Sequence, residues 1–69
     1  MKEIFEVQNE FIQLNQLLKV LNWVESGSMA NDVIDAGLVT VNGEIEQRRR
    51  NKIKAGFVVE YDGNVVEVV

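Results

Sequence analysis

Residues 38–54 read LVTVNGEIEQRRRNKIK. Val39, Thr40 and Val41 alternate apolar and polar as a half-buried strand does, and Asn42-Gly43 is a dipeptide suited to turning between strands. With Gly43 in the left-handed position of a three-residue loop, Val39 lies opposite Ile45 and Thr40 opposite Glu44, which matches apolar with apolar and polar with polar. The hairpin expected over residues 39–45 then delivers the chain into its basic cluster. Arg48, Arg49, Arg50, Lys52 and Lys54, five of the seven Lys and Arg residues, fall within seven positions there. The rest of the chain carries the other two basic residues and nine of the eleven acidic ones. In a chain of net charge −4, so tight a concentration of positive charge implies an anionic partner, and the reading developed below is RNA. Residues 47–54 are too charged for a buried strand, with Ile53 as their one core anchor, and Ala55-Gly56 turns the chain.

Beyond that turn, residues 57–69 predict a second hairpin around Asp62-Gly63, a type I′ signal. A two-residue loop pairs Val59 with Val66 and Phe57 with Val68 on one face, and Glu60 with Val65 and Val58 with Glu67 on the other. Upstream, the period changes from two to 3.6. Leu14, Leu17, Leu18 and Leu21 form one stripe of an amphipathic helix over about residues 14–22. Glu25-Ser26-Gly27-Ser28 breaks that pattern, and Ser26 is a fitting N-cap for a second helix. Ala30, Val33 and Ile34 repeat the apolar stripe, and Gly37 suits a left-handed stop. Residues 26–37 therefore carry both ends of a helix in the sequence. Residues 3–7 (EIFEV) predict a short strand, suited to an edge. The expected class is α+β, with two short helices as a helix–turn–helix-like pair on a small, mostly antiparallel sheet.

Sixty-nine residues bound one small domain, expected to span residues 1–69. Chains of this size bury barely ~60% of their unfolded surface, so the core must be efficient. At 46% hydrophobic residues, the composition suffices without a staple. The chain has no cysteine and no histidine. That excludes a disulfide framework and a Cys/His zinc site, and it removes the commonest nucleophile and general base. No apolar run approaches the ~20 residues that span a bilayer, and residues 1–10 lack the apolar core of a signal peptide. A cytoplasmic protein with no membrane association is the expectation. Asp32 and Asp35 stand one helical turn apart with nothing apolar beside them to raise a pKa, which reads as solvated helix surface. No catalytic residue, metal ligand or cofactor is expected.

The order of these signals resembles a known family. Leu14-Asn15-Gln16-Leu17-Leu18, residues 26–30, Ile34, Gly37, Val39-Thr40-Val41-Asn42-Gly43 and Ile53-Lys54-Ala55-Gly56 follow one another as in the S4-type RNA-binding domain (the αL motif). The likeness covers about residues 11–61. It is greatest to small stand-alone bacterial members, in which an acid and an Arg-rich loop follow the V-N-G turn. The resemblance implies a non-catalytic module whose two helices and V-x-V-N-G hairpin meet structured RNA, ribosomal or transfer RNA. Carried over by position, the surface includes Gln13, Asn15, Ser26, Gly27, Ser28, Asn31 and Asn42. This chain departs from the pattern in carrying Gly27 where Arg is common, Asn31 where Lys is frequent, and Asp35 in place of a further base. The weight of phosphate attraction then falls on Arg48, Arg49, Arg50, Lys52 and Lys54.

Each feature has a structural account beside the functional one. The basic run could be a solvated loop or could pair with Glu44 and Glu46, although exposed pairs contribute so little that stability gives small reason to collect five cations. Ser26 and Ser28 serve as caps as well as they serve as phosphate donors. Asn42-Gly43 is a turn before it is a contact. Trp23 covers the core edge, and Phe5, Phe11, Phe57 and Tyr61 read as core. Basic and aromatic residues do not interleave along the chain, which favours recognition of RNA shape over stacked bases. The competing reading is a protein-interaction module that uses the acidic second helix and the Arg-rich loop, with ribosome-associated proteins as a class of partner. A monomer or a weak homodimer fits either reading.

Overall fold

Leu14, Leu17 and Leu18 close completely into the interior of the computed structural model, which describes residues 2–69. They make the buried stripe of α1 (Leu14–Val20), and Ala30, Val33 and Ile34 do the same for α2 (Gly27–Asp35). Ser26 caps α2 as expected, its hydroxyl accepting the Met29 N–H at 3.1 Å. Both helices end in the same way. Asn22 and Gly37 adopt positive φ (60° and 76°), and the next two amides of each turn reach back to the last helical carbonyls. Trp23 N–H donates to the Leu18 oxygen and Asn22 N–H to that of Lys19; Leu38 N–H donates to Val33 and Gly37 N–H to Ile34. These are Schellman stops. The first helix is therefore shorter than residues 14–22, because Asn22 takes the left-handed position, which Asn visits more often than other non-Gly residues.

The remaining elements are β1 (Lys2–Phe5), β2 (Ile12–Gln13), β3 (Val39–Val41), β4 (Glu44–Ile45), β5 (Lys52–Ile53), β6 (Val58–Tyr61) and β7 (Asn64–Val68). Five strands form one sheet in the order β1-β7-β6-β3-β4, and β2 pairs with β5 in a separate two-stranded ribbon. Every pairing is antiparallel except β1 with β7. The class is α+β, with two short helices on a mostly antiparallel sheet. The second hairpin has the expected register, with Val59 opposite Val66 and Glu60 opposite Val65. Asp62 and Gly63 take φ of 52° and 80°, the type I′ geometry whose twist matches that of the flanking strands.

The first hairpin differs from its expected register by one residue. Thr40 faces Ile45 and Val41 faces Glu44, because the loop has two residues, with Asn42 and Gly43 both at positive φ (52° and 86°). Neighbouring β6 reinforces this turn. Asn42 N–H donates to the Val58 oxygen at 2.7 Å, and the Asn42 side-chain oxygen accepts the Val58 N–H at 2.9 Å. A slip of one residue exchanges the faces of a strand. Val39 and Val41 are buried, whereas Ile45 is left 66% exposed.

The ribbon of β2 and β5 was not legible from periodicity. Ile12 pairs with Ile53 and Gln13 with Lys52, and Ile53 is fully buried. It is the anchor expected within the basic segment, but it lies in a strand rather than a loop. Trp23 is partly buried against the core and donates its indole N–H to Glu3 at 2.7 Å.

Candidate functional site

The basic segment is fixed by its backbone. The first amides of a helix have no partner within the helix, and Gln13 gives α1 no side-chain cap. Leu14 N–H donates instead to the Asn51 carbonyl at 2.9 Å, and Asn15 N–H to the Arg49 carbonyl at 3.0 Å. The start of α1 is thus capped by the main chain of the segment that carries the cations. Gln47 adds a tie to α2, its side-chain N–H donating to the Asp35 carbonyl at 3.0 Å. With Ile53 buried and β5 paired to β2, the five cations project from a held scaffold.

Those cations stand in three different states. Arg48 forks onto Glu46, with contacts of 2.8 and 3.0 Å, and its own N–H also donates to that carboxylate. Arg49 forks onto Asp35 at 3.0 and 2.5 Å. Lys52 places its ammonium 5.1 Å from the centre of the Phe11 ring, a cation–π distance. The side chains of Arg50 and Lys54 have no such partner among the described residues. Hydrogen bonding by Arg49 holds the Asp35 carboxyl below its ordinary range, and Arg48 does the same to Glu46. Both carboxylates are therefore ionised at neutral pH. Two of the five cations are thus closed by carboxylates, and Arg50, Lys52 and Lys54 are not.

Asp35 departs from the basic pattern of the resembled family, and the structure gives it a task. It holds Arg49, and Asp32 contributes to the field around that guanidinium. One helical turn before Asp35, Asn31 accepts a hydrogen bond from the Asn15 side-chain N–H at 3.1 Å, which joins α2 to α1. The Asn15 side-chain oxygen is buried without a partner. Gly27, Asn31 and Asp35 follow one another at intervals of four, so they share one face of α2. A Cβ built on Gly27 would meet no atom within 4 Å.

The structure therefore brings Gln13, Asn15, Asn31, Arg49 and Lys52 together through direct contacts. Ser26, Gly27 and Ser28 stand at the other end of α2, about 12 Å from Asp35 by helical rise. Asn42 joins from the opposite side, across a groove of about 480 Å³ that it lines with Arg48, Lys52 and Lys54. Sequence reasoning missed Gln47 and Asn51, whose side chains tie the segment to Asp35 and Glu46. It also missed Phe11 as the partner of Lys52. The one hint for Asn51 was its place as the sole uncharged polar residue within RRRNK. Among the described residues, no cluster of acids could hold a metal ion, and no helix is long and apolar enough to cross a membrane.

Comparison with known proteins resolves the lineage. The model of the S4 domain matches residues 5–69. The chain belongs to the S4 domain family. "Putative RNA-binding protein YbcJ" of Escherichia coli (strain K12) is 45% identical over 58 residues, which is 84% of this chain and 83% of that protein. "Probable ribosome maturation protein RlbA" of Bacillus subtilis (strain 168) is 39% identical over 57 residues, 83% of this chain and 80% of that protein. The solution structure of Escherichia coli YbcJ, described as revealing an "alfaL motif involved in RNA-binding", superposes with a TM-score of 0.73 at 40% identity. That match covers 96% of this chain and 85% of the YbcJ chain.

Proposed function

We propose that this chain is a non-catalytic, cytoplasmic RNA-binding domain that grips structured RNA, ribosomal RNA before transfer RNA, through the basic segment and the adjoining helix surface. The observation that carries the reading is the cluster of five cations, only two of them paired to carboxylates, on a segment whose backbone is tied to the start of α1. Phosphate recognition benefits from cations held in place, since less ordering is needed on binding. Membership of the S4 family supports the class of ligand. The names of the relatives, one RNA-binding and one concerned with ribosome maturation, support RNA of the ribosome.

The open cations carry more of the attraction than the forked ones. Arg50 and Lys54 are available at once, whereas Arg48 and Arg49 must exchange a carboxylate for a phosphate. A protein partner for the acidic face of α2 is the weaker reading, because Asp35 already has its cation in Arg49. The test is a gel-shift titration with ribosomal RNA fragments at two salt concentrations. Each lost phosphate contact lowers the slope of log K against log salt by ~0.9 on a duplex, so Arg50→Ala with Lys54→Ala flattens it by about 1.8. Unchanged affinity and slope in that double variant would refute the reading.

A further inference from the structure

Cations and aromatics are segregated along the sequence, yet the fold interleaves them in space. Lys52 sits over Phe11, and Lys52 and Lys54 share the 480 Å³ groove with Phe57 and Ile45. The groove lies between the β3–β4 hairpin and the basic segment. Its volume falls in the ~300–1,000 Å³ range of small-ligand sites.

We propose that this groove receives one unpaired nucleotide of the bound RNA. The inference rests on the RNA reading given above and specifies the feature of the RNA that is recognised. Three properties of the groove match three parts of a nucleotide. The phosphate meets Lys52 and Lys54, neither of which is closed by a carboxylate. The flat face of the base meets Phe57 and the side chain of Ile45, which the observed hairpin register leaves outside the core. The polar edge of the base meets the Asn42 and Asn51 amides. Glu46, which also lines the groove, is already satisfied by Arg48 and Asn51, so the phosphate is directed to the lysines. Glu44 also lines the groove and can accept a hydrogen bond from an exocyclic amino group, as acidic side chains do from cytosine.

A continuous duplex cannot supply this occupant. Its bases are stacked inside, and the major groove of A-form RNA is too narrow for side chains to read. A bulge or loop nucleotide can be turned out, and stacking on an aromatic face is tolerant of base identity. The groove therefore selects RNA helices interrupted by an unpaired base, which net charge alone does not.

The test compares three RNAs: a blunt duplex, the same duplex with a single-nucleotide bulge, and that bulge with its base removed. The last keeps the kink and the phosphate but lacks the ring. The base-bearing bulge is expected to bind roughly tenfold more tightly than the abasic one. Ile45→Ser and, separately, Phe57→Leu bring that ratio close to one. Ile45 is exposed, so its replacement leaves the fold in place, and Phe57→Leu keeps an apolar side chain against the core. Equal binding of the two bulges by the unaltered protein, or a tenfold ratio that survives both substitutions, overturns the nucleotide site alone. Failure to bind any of the three RNAs overturns the RNA reading and this inference with it.

Discussion

Asp35→Asn isolates what the Arg49 fork does. In the folded protein Asp35 closes both faces of the Arg49 fork, at 3.0 and 2.5 Å, in the same planar geometry that guanidinium uses for phosphate. Both side chains are substantially exposed, at 53% and 44%, and exposed pairs of this kind add little to stability. Thermal unfolding should therefore hardly change in the variant. RNA binding should change, because Arg49 joins Arg50, Lys52 and Lys54 as a fourth cation that no carboxylate closes. One added phosphate contact steepens the slope of log K against log salt by ~0.9 on the duplex-DNA scale, so the fourfold step from 50 to 200 mM salt weakens the variant by about 3.5-fold more than the unaltered protein. Asp32→Asn is the control. It makes the same change of net charge one turn away but opens no fork, so it should raise affinity without adding a contact. The assay is a salt series of filter-binding titrations on the three proteins. A slope in Asp35→Asn equal to that of Asp32→Asn would refute the idea that the carboxylate competes with phosphate. A loss of affinity would show that Asp35 orients Arg49 for the RNA, the reverse of competition.

Four further outcomes follow from particular contacts. Gly27→Arg places the base common in the S4 family where a Cβ meets no atom; the helix-propensity gain of up to ~1 kcal/mol opposes a dipole penalty of similar size at a helix N-terminus. Its urea midpoint should stay put while its RNA affinity rises. Ile53→Ala empties a fully buried site and should cost ~2–5 kcal/mol in urea unfolding, a large part of the total for so small a domain; a shift of the midpoint smaller than that of an exposed substitution would contradict the anchoring role. Asn42→Ala keeps a positive φ that Ala tolerates poorly and removes the acceptor for Val58 N–H, a loss of roughly 1–2 kcal/mol measured the same way. Lastly, the Asp35 and Glu46 carboxyls lie below their ordinary values of 3.8 and 4.5 when folded. Depressed folded pKa values stabilise above the unfolded values and cease to do so as the pH falls through the folded ones. The Arg48 amide, which donates to Glu46, should hold its NMR shift from pH 8 to 5 and move only in more acid solution; a midpoint near neutrality would contradict the pairing.

How far the fold was legible depended on whether a signal was local. Ser26, Gly37 and Asp62-Gly63 act on their own neighbours, and each does in the structure what it predicts in the sequence. Asn42-Gly43 was legible as a turn but not in its length. Polar-with-polar matching favoured a three-residue loop, whereas the two-residue loop was decided by the bonds of Asn42 to Val58, sixteen positions away. The ribbon of β2 and β5 was invisible for the same reason. Two residues show no periodicity, and the charge on residues 47–54 hid a strand whose one inward side chain is Ile53. The candidate site divides along the same line. The five cations could be counted from the sequence and pairing with Glu46 could be foreseen, but the states of Arg49 and Lys52 could not, because Asp35 and Phe11 lie fourteen and forty-one positions from their partners.

That division bears on how a domain with net charge −4 can attract an anion at all. Its acids are not merely outnumbered locally. Two of them, Asp35 and Glu46, are placed where they close arginine forks, which lowers the field of the basic segment while fixing where its side chains point. On the proposed RNA reading, such a segment would attract nucleic acid less strongly at long range than five free cations, and would discriminate more at contact. On that same reading, a phosphate that merely approaches would meet Arg50 and Lys54, and only one placed in the geometry of a fork would displace a carboxylate. The same division of labour accounts for the hairpin. Its one-residue register leaves Ile45 facing outward beside Lys54 and Phe57, an apolar surface that phosphate alone would not need. Charge and apolar contact thus meet at the end of the stretch 38–54, with the Asn42 turn fixing one wall and the buried Ile53 fixing the other.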